Sequence, residues 1–317
     1  MSQRTAWVLS NGLIGMDNQS IGLAEALGLD VHIRRIQPMA PWSSLPPSLW
    51  LAPLRFLTPD SDRLEPPWPD VVIGTGRLNV AASVAIREQS RGRTLNIRIQ
   101  HPRISLAKFD FVVAPQHDHC RGSNVIETVG AVGRMSHARL DEGAARFAPL
   151  LAGLPRPFVT VLLGGSNSRY ILDAAFARRL AGQLGESLRS NGGSLLVTPS
   201  RRTGAEVVAP FAELLNKVPG RLWDGQHDNP YFGWLALADY IVVTADSVNM
   251  ASEAAFTGKP VLVAGLTGRS NKFEQFHRSL QERGCTRPFT GELVNWQYAP
   301  LDETRRAASL IRQQTGW

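Results

Sequence analysis

Residues 239–264 read DYIVVTADSVNMASEAAFTGKPVLVA and contain a strand, a helix and a second strand in close succession. The apolar run that ends at Thr244 predicts a buried strand. Asp246 and Ser247 belong to the residue types that cap helix N-termini, and the small and apolar residues after them predict a helix. After Gly258 the run KPVLVA predicts a return to the sheet. A strand, a helix and a strand in this order form a βαβ unit, which indicates a parallel sheet.

The same alternation continues on both sides of this segment. Apolar runs predict strands at residues 5–10, 31–36, 70–74, 94–100, 110–115, 158–163, 193–199, 239–244 and 259–264. Helical spacing of apolar residues predicts helices at 19–27, 79–87, 171–188, 205–215, 246–257 and 302–313. We therefore predict an α/β fold.

The alternation breaks once, at the stretch LAGLPRP of residues 151–157, and then restarts. Each half opens with a strand, a glycine-containing loop and a helix. We predict two Rossmann-like domains that face each other across a cleft, at residues 1–152 and 153–300. The helix within residues 301–317 is expected to pack back toward the N-terminal domain.

Length and composition agree with a cytoplasmic protein of two domains. The chain has 317 residues, 43% of them hydrophobic, and no apolar run of 18 residues that would predict a membrane-spanning helix. Its first apolar stretch already contains Asn11 and Gly12, which is not typical of a signal peptide. The two cysteines, Cys120 and Cys285, form no disulfide framework, which fits a reducing compartment.

The chain is basic, with 34 Lys and Arg against 27 Asp and Glu, and all but four of these cations are arginines. Arginine suits phosphate and carboxylate oxygens, so anionic ligands or an anionic membrane surface are plausible partners. The arginines are spread along the chain, and no dense basic run interleaved with aromatic residues indicates nucleic-acid binding. We therefore expect no nucleic-acid partner.

A glycine-rich loop follows the first strand of the second half. Gly164, Gly165, Ser166 and Asn167 stand between strand and helix, where backbone N–H groups at a helix N-terminus suit phosphate. The loop lacks the GK[ST] of a Walker motif, and Gly12 with Gly15 does not complete a dinucleotide fingerprint. The alternative is that these glycines only allow a tight turn.

The segment 239–264 resembles the nucleotide-sugar signature of glycosyltransferases with the two-domain GT-B fold. The resemblance implies that Glu253 accepts hydrogen bonds from the ribose hydroxyls. It places the diphosphate near the start of the helix, at Asp246, Ser247, Val248 and Asn249. Ser247 departs from the glycine that is usual in the members that form lipid II. Cations in neighbouring loops, Arg201 and Lys272 above all, would compensate the charge of the leaving group.

Six motifs, one of them within the segment 239–264, occur in an order that resembles one narrower family. They are GMDNQSIGLAEALG (15–28), IQHPR (99–103), APQHD (114–118), ETVGAVGR (127–134), ADSVNMASEAAFTGKP (245–260) and GCTRPFTGELVNW (284–296). Together they resemble the mitochondrial-fission ELM family, whose bacterial members look like GT-B glycosyltransferases and whose plant relative is linked to recruiting a fission dynamin.

This resemblance implies metal-independent transfer of a sugar from a nucleoside-diphosphate sugar to a cell-envelope glycan or lipid acceptor. The nucleotide sugar is then a co-substrate, and no further cofactor is expected. Two alternatives keep the fold: an enzyme similar to nucleotide-sugar 2-epimerases, and a non-catalytic adaptor of the membrane-fission type.

An inverting transfer needs a base for the acceptor hydroxyl, and loops after strands of the N-terminal half supply candidates. Asp17 and Asp118 are the preferred candidates, with His117 beside the latter. Asn18 and Arg103 are expected on the acceptor side. His117, His119 and Cys120 also invite a zinc interpretation, but one tight group without a second cluster is not typical of a zinc site, and we predict no metal.

Residues 38–59 are rich in proline and in large apolar side chains, among them Trp42, Trp50 and Leu51. The prolines exclude one long helix. With Arg34 and Arg35 close by, this segment could dock on the inner face of a membrane and receive a lipid-linked acceptor. The alternative is that its side chains fold into the core of the N-terminal domain.

Overall fold

The computed structural model describes residues 3–317 and consists of two compact units. One unit contains the chain up to Arg134 together with Asp302–Trp317, and the other contains Met135–Leu301. Each unit is built on a six-stranded sheet in which every strand pairing is parallel. The prediction of an α/β protein with two Rossmann-like domains is therefore confirmed.

The first sheet has the strand order β2-β1-β3-β4-β5-β6. Its strands are β1 (Thr5–Ser10), β2 (Asp30–Arg35), β3 (Val71–Thr75), β4 (Leu95–Ile99), β5 (Phe111–Pro115) and β6 (Val125–Thr128). Its helices are α1 (Ile14–Ala26), α2 (Val80–Gln89) and the C-terminal α9 (Glu303–Thr315). Side chains on the two faces of β1 show how the sheet is covered, because Val8 packs in the core with α1 and α9 while Trp7 packs on the opposite face with α2.

The second sheet has the order β10-β9-β7-β11-β12-β14. Its strands are β7 (Phe158–Leu163), β9 (Ser194–Pro199), β10 (Gly220–Leu222), β11 (Tyr240–Thr244), β12 (Val261–Ala264) and β14 (Thr286–Pro288), and a separate antiparallel pair joins β8 (Tyr170–Ile171) to β13 (Thr267–Gly268). The helices of this unit are α3 (His137–Phe147), α4 (Ala174–Asn191), α5 (Ala205–Leu215), α6 (Tyr231–Leu237), α7 (Val248–Phe256) and α8 (Asn271–Glu282).

The change from the first unit to the second lies earlier than the expected boundary between residues 152 and 153. Helix α3 belongs to the second unit because it packs closely on α6. A Cβ atom on Gly143 would lie 2.7 Å from the backbone N of Gly233, so only glycine allows the two helices to approach this far. Phe147 then packs with Phe158 and Trp234 in the same core.

Some apolar side chains of the proline-rich segment 38–59 are buried in the first unit and others are exposed. Trp50 is buried and Leu54 packs against the first unit's core, whereas Leu49 and Leu51 are exposed. Trp42 and Phe56 stack on each other with ring centroids 5.3 Å apart. No helix within residues 3–317 has the length and apolar character needed to cross a membrane.

Candidate functional site

The predicted donor-side residues lie at one edge of the second sheet. Strands β9, β7, β11 and β12 are neighbours and parallel, so the loops that follow them meet at the carboxyl end of the sheet. The segments that follow these four strands contain Arg201, the loop 164–167, residues 246–249 at the start of α7, and Lys272 at the start of α8, respectively. Open α/β sheets bind their ligands at this edge.

Asp246 holds two of these loops together. Its Oδ1 accepts from the Thr244 hydroxyl at 2.6 Å, and its Oδ2 accepts from the Gly165 N–H at 2.9 Å. A third donor is Nη2 of Arg202, 3.3 Å from Oδ2. The carboxylate is fully buried, with a side-chain exposure of 0%. Asp246 is therefore an internal anchor of the site, and its predicted contact with the donor stays a prediction.

Gly164 and Gly165 serve close packing. The Gly164 N–H donates to the Thr244 hydroxyl at 2.9 Å, so the backbone amides of both glycines have partners within the protein. A Cβ on Gly164 would lie 2.1 Å from the Asp246 carboxylate, and one on Gly165 would lie 2.4 Å from the backbone oxygen of Arg202. The structure thus favours the packing role of these two glycines over the phosphate-binding role.

Ser166 and Asn167 close the same loop on itself. Oγ of Ser166 accepts from the Leu172 N–H at 2.9 Å, and Oδ1 of Asn167 accepts from the N–H groups of Arg169 and Tyr170 at 2.8 and 3.0 Å. These bonds keep the loop in one conformation beside α7.

Helix α7 begins at the centre of this edge. Ser247 is its N-cap, and its hydroxyl accepts from the Met250 N–H at 3.3 Å. Val248 and Asn249 form the first turn, where the positive end of the helix dipole favours an anion. The backbone of Ser247 is extended, with φ −129°, so this position accepts serine in place of glycine without strain.

Glu253 lies in the second turn of α7, half-buried, and is held from α6. The Tyr231 hydroxyl donates to Oε2 of Glu253 at 2.5 Å. Burial raises the pKa of Glu253 from its ordinary 4.5 to about 7, although the hydrogen bond from Tyr231 acts in the opposite direction. Strongly perturbed carboxyl groups of this kind are concentrated at functional sites.

Tyr231 is a residue of this site that the sequence pattern did not indicate. It opens α6, a short helix of sequence YFGWLAL that follows Asn229 and Pro230. An apolar run directly after Asn-Pro is a signal for a helix start, but nothing in the sequence connects that helix to Glu253, 22 residues later.

Lys272 lies on a helix together with Phe273 and Phe276, which corrects the expectation that this cation stands in a loop. They belong to α8, in which Phe276 is completely buried while Lys272 is exposed in the first turn. Nε2 of His277 donates to the Ala245 backbone oxygen at 2.9 Å and so attaches α8 to the loop after β11. Burial lowers the pKa of His277, so its ring is neutral near pH 7.

In the first unit, Asp17 and Asn18 lie in the first turn of α1, and both are half-buried. The Ser10 hydroxyl donates to Oδ2 of Asp17 at 2.8 Å and itself accepts from the Gly12 N–H at 3.0 Å. Arg103 is exposed beyond the end of β4. Asp17 is thus positioned by the loop after β1 and remains accessible.

The side chains of His117 and Asp118 are largely buried. Their exposures are 3% and 9%, and Oδ2 of Asp118 accepts from the His101 N–H at 3.4 Å. A catalytic role for either residue stays a prediction. His119 is exposed and Cys120 buried, and within residues 3–317 no three His, Cys, Asp or Glu side chains are grouped so that they could hold a metal ion.

Comparison with known sequences identifies a family. The model of the family described as mitochondrial fission ELM1 matches residues 14–315. The Mitochondrial fission protein ELM1 of Arabidopsis thaliana is 36% identical over 78% of this chain, and the alignment covers 65% of that protein, so the chain spans about two thirds of its plant relative. A Rickettsia prowazekii protein of uncharacterised function is 24% identical over 77% of this chain and 79% of its own length.

Solved structures share the fold. The UDP-GlcNAc 2-epimerase of Methanocaldococcus jannaschii superposes with a TM-score of 0.58 at 12% identity, and the match covers 100% of both chains. Os79 of O. sativa, solved in complex with UDP, superposes with a TM-score of 0.52 at 11% identity over 98% of this chain and 91% of its own. The fold is therefore that of GT-B glycosyltransferases and related epimerases.

Proposed function

The chain belongs to the mitochondrial fission ELM1 family, and on that premise we propose that it binds a nucleoside-diphosphate sugar at the carboxyl edge of the second sheet. The proposed activity is metal-independent transfer of the sugar to a cell-envelope glycan or lipid acceptor. The fold supports the class of ligand, because similar folds occur in an epimerase of UDP-GlcNAc and in a protein solved with UDP.

The observation that carries the proposal is the carboxyl group of Glu253. It lies one turn inside a helix whose N-terminus faces the site, and its Oε2 is held by Tyr231. Within the described chain its Oε1 has no hydrogen-bond partner, so this oxygen can accept from a ribose hydroxyl. A vicinal diol offers two donors, and an ionised carboxylate that accepts both forms strong, charge-assisted bonds.

Nucleotide binding tests this assignment directly. We expect one of UDP, GDP, ADP and CMP, or one of their sugars, to stabilise the wild-type protein selectively in a thermal-shift assay. Because hydrogen bonds to a charged group contribute about 1.5–3 kcal/mol each, Glu253→Ala should weaken the binding of that nucleotide by at least about tenfold. Glu282→Ala, which removes an exposed carboxylate of the same unit, is the matched control and should bind like the wild type. A well-folded wild type that responds to no nucleotide would exclude the proposed donor site.

For the transfer step we assign Asp17 as the base, because it is accessible and is oriented by Ser10. Arg201 and Lys272, which are both exposed, would compensate the charge of the departing diphosphate. Removal of a general base costs about 10²- to 10⁴-fold in rate. Asp17→Asn should therefore greatly reduce the rate at which nucleotide is released in the presence of an acceptor, while the Kd of the nucleotide stays unchanged. Asp60→Asn, an exposed change in the same unit, should leave both quantities unchanged.

A second candidate function is a non-catalytic role in membrane fission, which the name of the 36% identical plant relative favours. A protein of this kind would keep the fold without turnover. If this is the function, Glu253→Ala should leave the binding of the protein partner intact, and no nucleotide should be consumed. Isomerisation of the nucleotide sugar without an acceptor would instead indicate activity of the 2-epimerase type.

We assign the exposed part of residues 38–59 to contact with the surface of an anionic membrane. Leu49, Leu51 and Phe56 are all exposed, and Arg55 stands among them. Apolar side chains beside arginines suit the interface of a bilayer with anionic head groups. Leu51→Glu should weaken sedimentation with phosphatidylglycerol vesicles severalfold, whereas Leu150→Glu, at an exposed leucine of the second unit, should not. Equal effects of the two changes would contradict the assignment.

A further inference from the structure

An arginine is buried inside the first unit without an acidic partner. Arg98 stands on β4 with 2% of its surface exposed. Nη1 donates to Oδ1 of Asn79 at 2.7 Å, and Nη2 donates to the backbone oxygen of Gly76. Its buried Nε has no hydrogen-bond partner among the described residues, and no described carboxylate forms an ion pair with its guanidinium.

An uncompensated buried cation is costly for a folded protein. Burial lowers the pKa of Arg98 to about 9, which still leaves the group charged at neutral pH. The neutral oxygens of Asn79 and Gly76 orient the guanidinium without neutralising it. The missing compensation is therefore one negative charge that the described part of the chain does not supply.

Arg98 lines a cavity of about 450 Å³ at the carboxyl end of β4. Two further arginines, Arg77 and Arg103, line the same cavity, as do Gln100 and His101, and no acidic residue is among the described side chains around it. Arg77 also donates to the backbone oxygen of Leu45 at 2.9 Å and so fixes the wall that residues 44–47 form. Three guanidinium groups around one cavity give it a strongly positive potential.

Two residues that line the cavity have an unfavourable backbone conformation. Gln100 and Arg103 have φ values of 68° and 58°, in the left-handed region that residues with a side chain seldom adopt. Such conformations are energetically unfavourable and are concentrated at ligand sites. The Gln100 N–H donates to the Val113 backbone oxygen at 2.8 Å, and the Arg103 N–H donates to Nδ1 of His101 at 2.9 Å. These bonds keep the residues that line the cavity in position.

We propose that this cavity binds the phosphate or diphosphate group of a phosphorylated organic molecule, with Arg98, Arg77 and Arg103 as the cations that recognise it. The site lies wholly within the first unit and does not depend on the proposed nucleotide site of the second.

A phosphate group fits this cation set better than a carboxylate does. A single carboxylate compensates one guanidinium, whereas a phosphomonoester or diphosphate carries about two to three charges and offers several oxygens for paired N–H donors. The volume exceeds that of one phosphate, and Met16, Pro46 and Pro47 supply an apolar surface for the organic part of the ligand.

Inorganic pyrophosphate is the probe for calorimetric titration at fixed ionic strength. We expect the wild type to bind pyrophosphate, and we expect Arg103→Gln and Arg77→Gln each to weaken this binding at least tenfold. Both arginines are exposed, so their replacement does not disturb the core. Arg121→Gln removes the same charge from the exposed surface of the same unit, outside this cavity, and should leave the affinity unchanged. Arg98→Lys, checked for folding by circular dichroism, should also weaken binding because an ammonium group cannot keep both hydrogen bonds.

Two comparisons separate this site from others. Lys217→Gln, an exposed change in the second unit outside the residues assigned to the nucleotide, should leave pyrophosphate binding unchanged, and a loss of binding there equal to that in the arginine variants would overturn the proposal. Citrate should bind at least tenfold more weakly than pyrophosphate, and equal affinities would overturn the assignment to phosphate. The absence of pyrophosphate binding, or equal binding by the wild type and all the arginine variants, would equally overturn it.

Discussion

The carboxyl group of Glu253 leads to a prediction about stability that needs no ligand. Glu253→Gln keeps the shape of the side chain and an oxygen that accepts from Tyr231, and it removes the ionisation. In wild type the pKa of this group is about 7 in the folded chain and near 4.5 when unfolded, so the folded state holds the proton more tightly. The stability that it contributes is therefore fully present below about pH 4.5 and is lost as the pH rises through 7.

The size of the effect follows from the two pKa values. Each tenfold change in proton affinity corresponds to about 1.4 kcal/mol, so a pKa change from 4.5 to about 7 sets an upper limit of about 3 kcal/mol. The side chain is only half-buried, and solvent screening reduces the expected value to about 1–2 kcal/mol. Glu253→Gln should be more stable than the wild type by that amount at pH 8 and by a few tenths of a kcal/mol at pH 5. For a unit of this size the pH 8 difference corresponds to an increase of about 2–8 °C in Tm.

Urea unfolding at pH 5 and pH 8 measures this difference for wild type, Glu253→Gln and the control Glu282→Gln. The control removes the same charge from an exposed position and so corrects for the net charge of the protein. The reasoning is refuted if Glu253→Gln is no more stable than the wild type at pH 8 once the control is subtracted. Equal gains at both pH values would also refute it, because they would show that ionisation is not the cause.

Four further changes test the hydrogen bond to Glu253 and the packing of three glycines. Tyr231→Phe removes a bond that favours the ionised carboxyl, so it should destabilise the protein more at pH 8 than at pH 5, and equal losses in urea unfolding would contradict the assignment. Gly164→Ala brings a methyl group within 2.1 Å of a buried carboxylate and should cost about 1–3 kcal/mol in the same assay, so a neutral result would disprove the close contact. In Gly22→Ala the new methyl group would lie 2.1 Å from the backbone oxygen of Gly133, so this change should destabilise the first unit similarly. Gly182→Ala adds a methyl group in open space at an exposed helical position and should stabilise the protein by about 0.5–1 kcal/mol. If Gly22→Ala were the more stable of these two variants, the described packing would be contradicted.

Nine strands could be predicted from the sequence, but several helices and the short strands β6, β8, β10, β13 and β14 could not. Apolar runs such as FVVAP and YIVVT identify buried parallel strands because both faces of the sheet are covered, and periodicity is then unnecessary. Helices α3 and α8 are mainly polar and show only a narrow apolar side, which a reading based on apolar spacing overlooks. The early change of unit at residue 134 follows from the same omission, because α3 supplies the packing that assigns residues 135–152 to the second unit.

The candidate site was predictable only as far as local sequence determines it. Ser247 as a helix cap is a local feature, and the structure has it as the spacing indicated. The role of Gly164 is not local, because phosphate binding and close packing require the same residue type, and only the position of Asp246 distinguishes them. Arg98 offered no signal at all, since an arginine within an alternating strand is typical of an exposed face.

Asp246 and Glu253 differ in how completely the protein satisfies the hydrogen-bonding capacity of their carboxyl groups. Asp246 accepts from three donors on three segments of the second unit, so its negative charge is used within the fold and nothing remains for a ligand. Among the described residues Glu253 accepts only from Tyr231, and burial raises its pKa to about 7, so this carboxyl group is not fully paired within the described chain. A carboxyl group kept in that condition is stabilised by any ligand that donates hydrogen bonds to it. Arg98 is an incompletely paired group of the opposite charge, because the described chain orients its guanidinium and leaves its compensation to an anion.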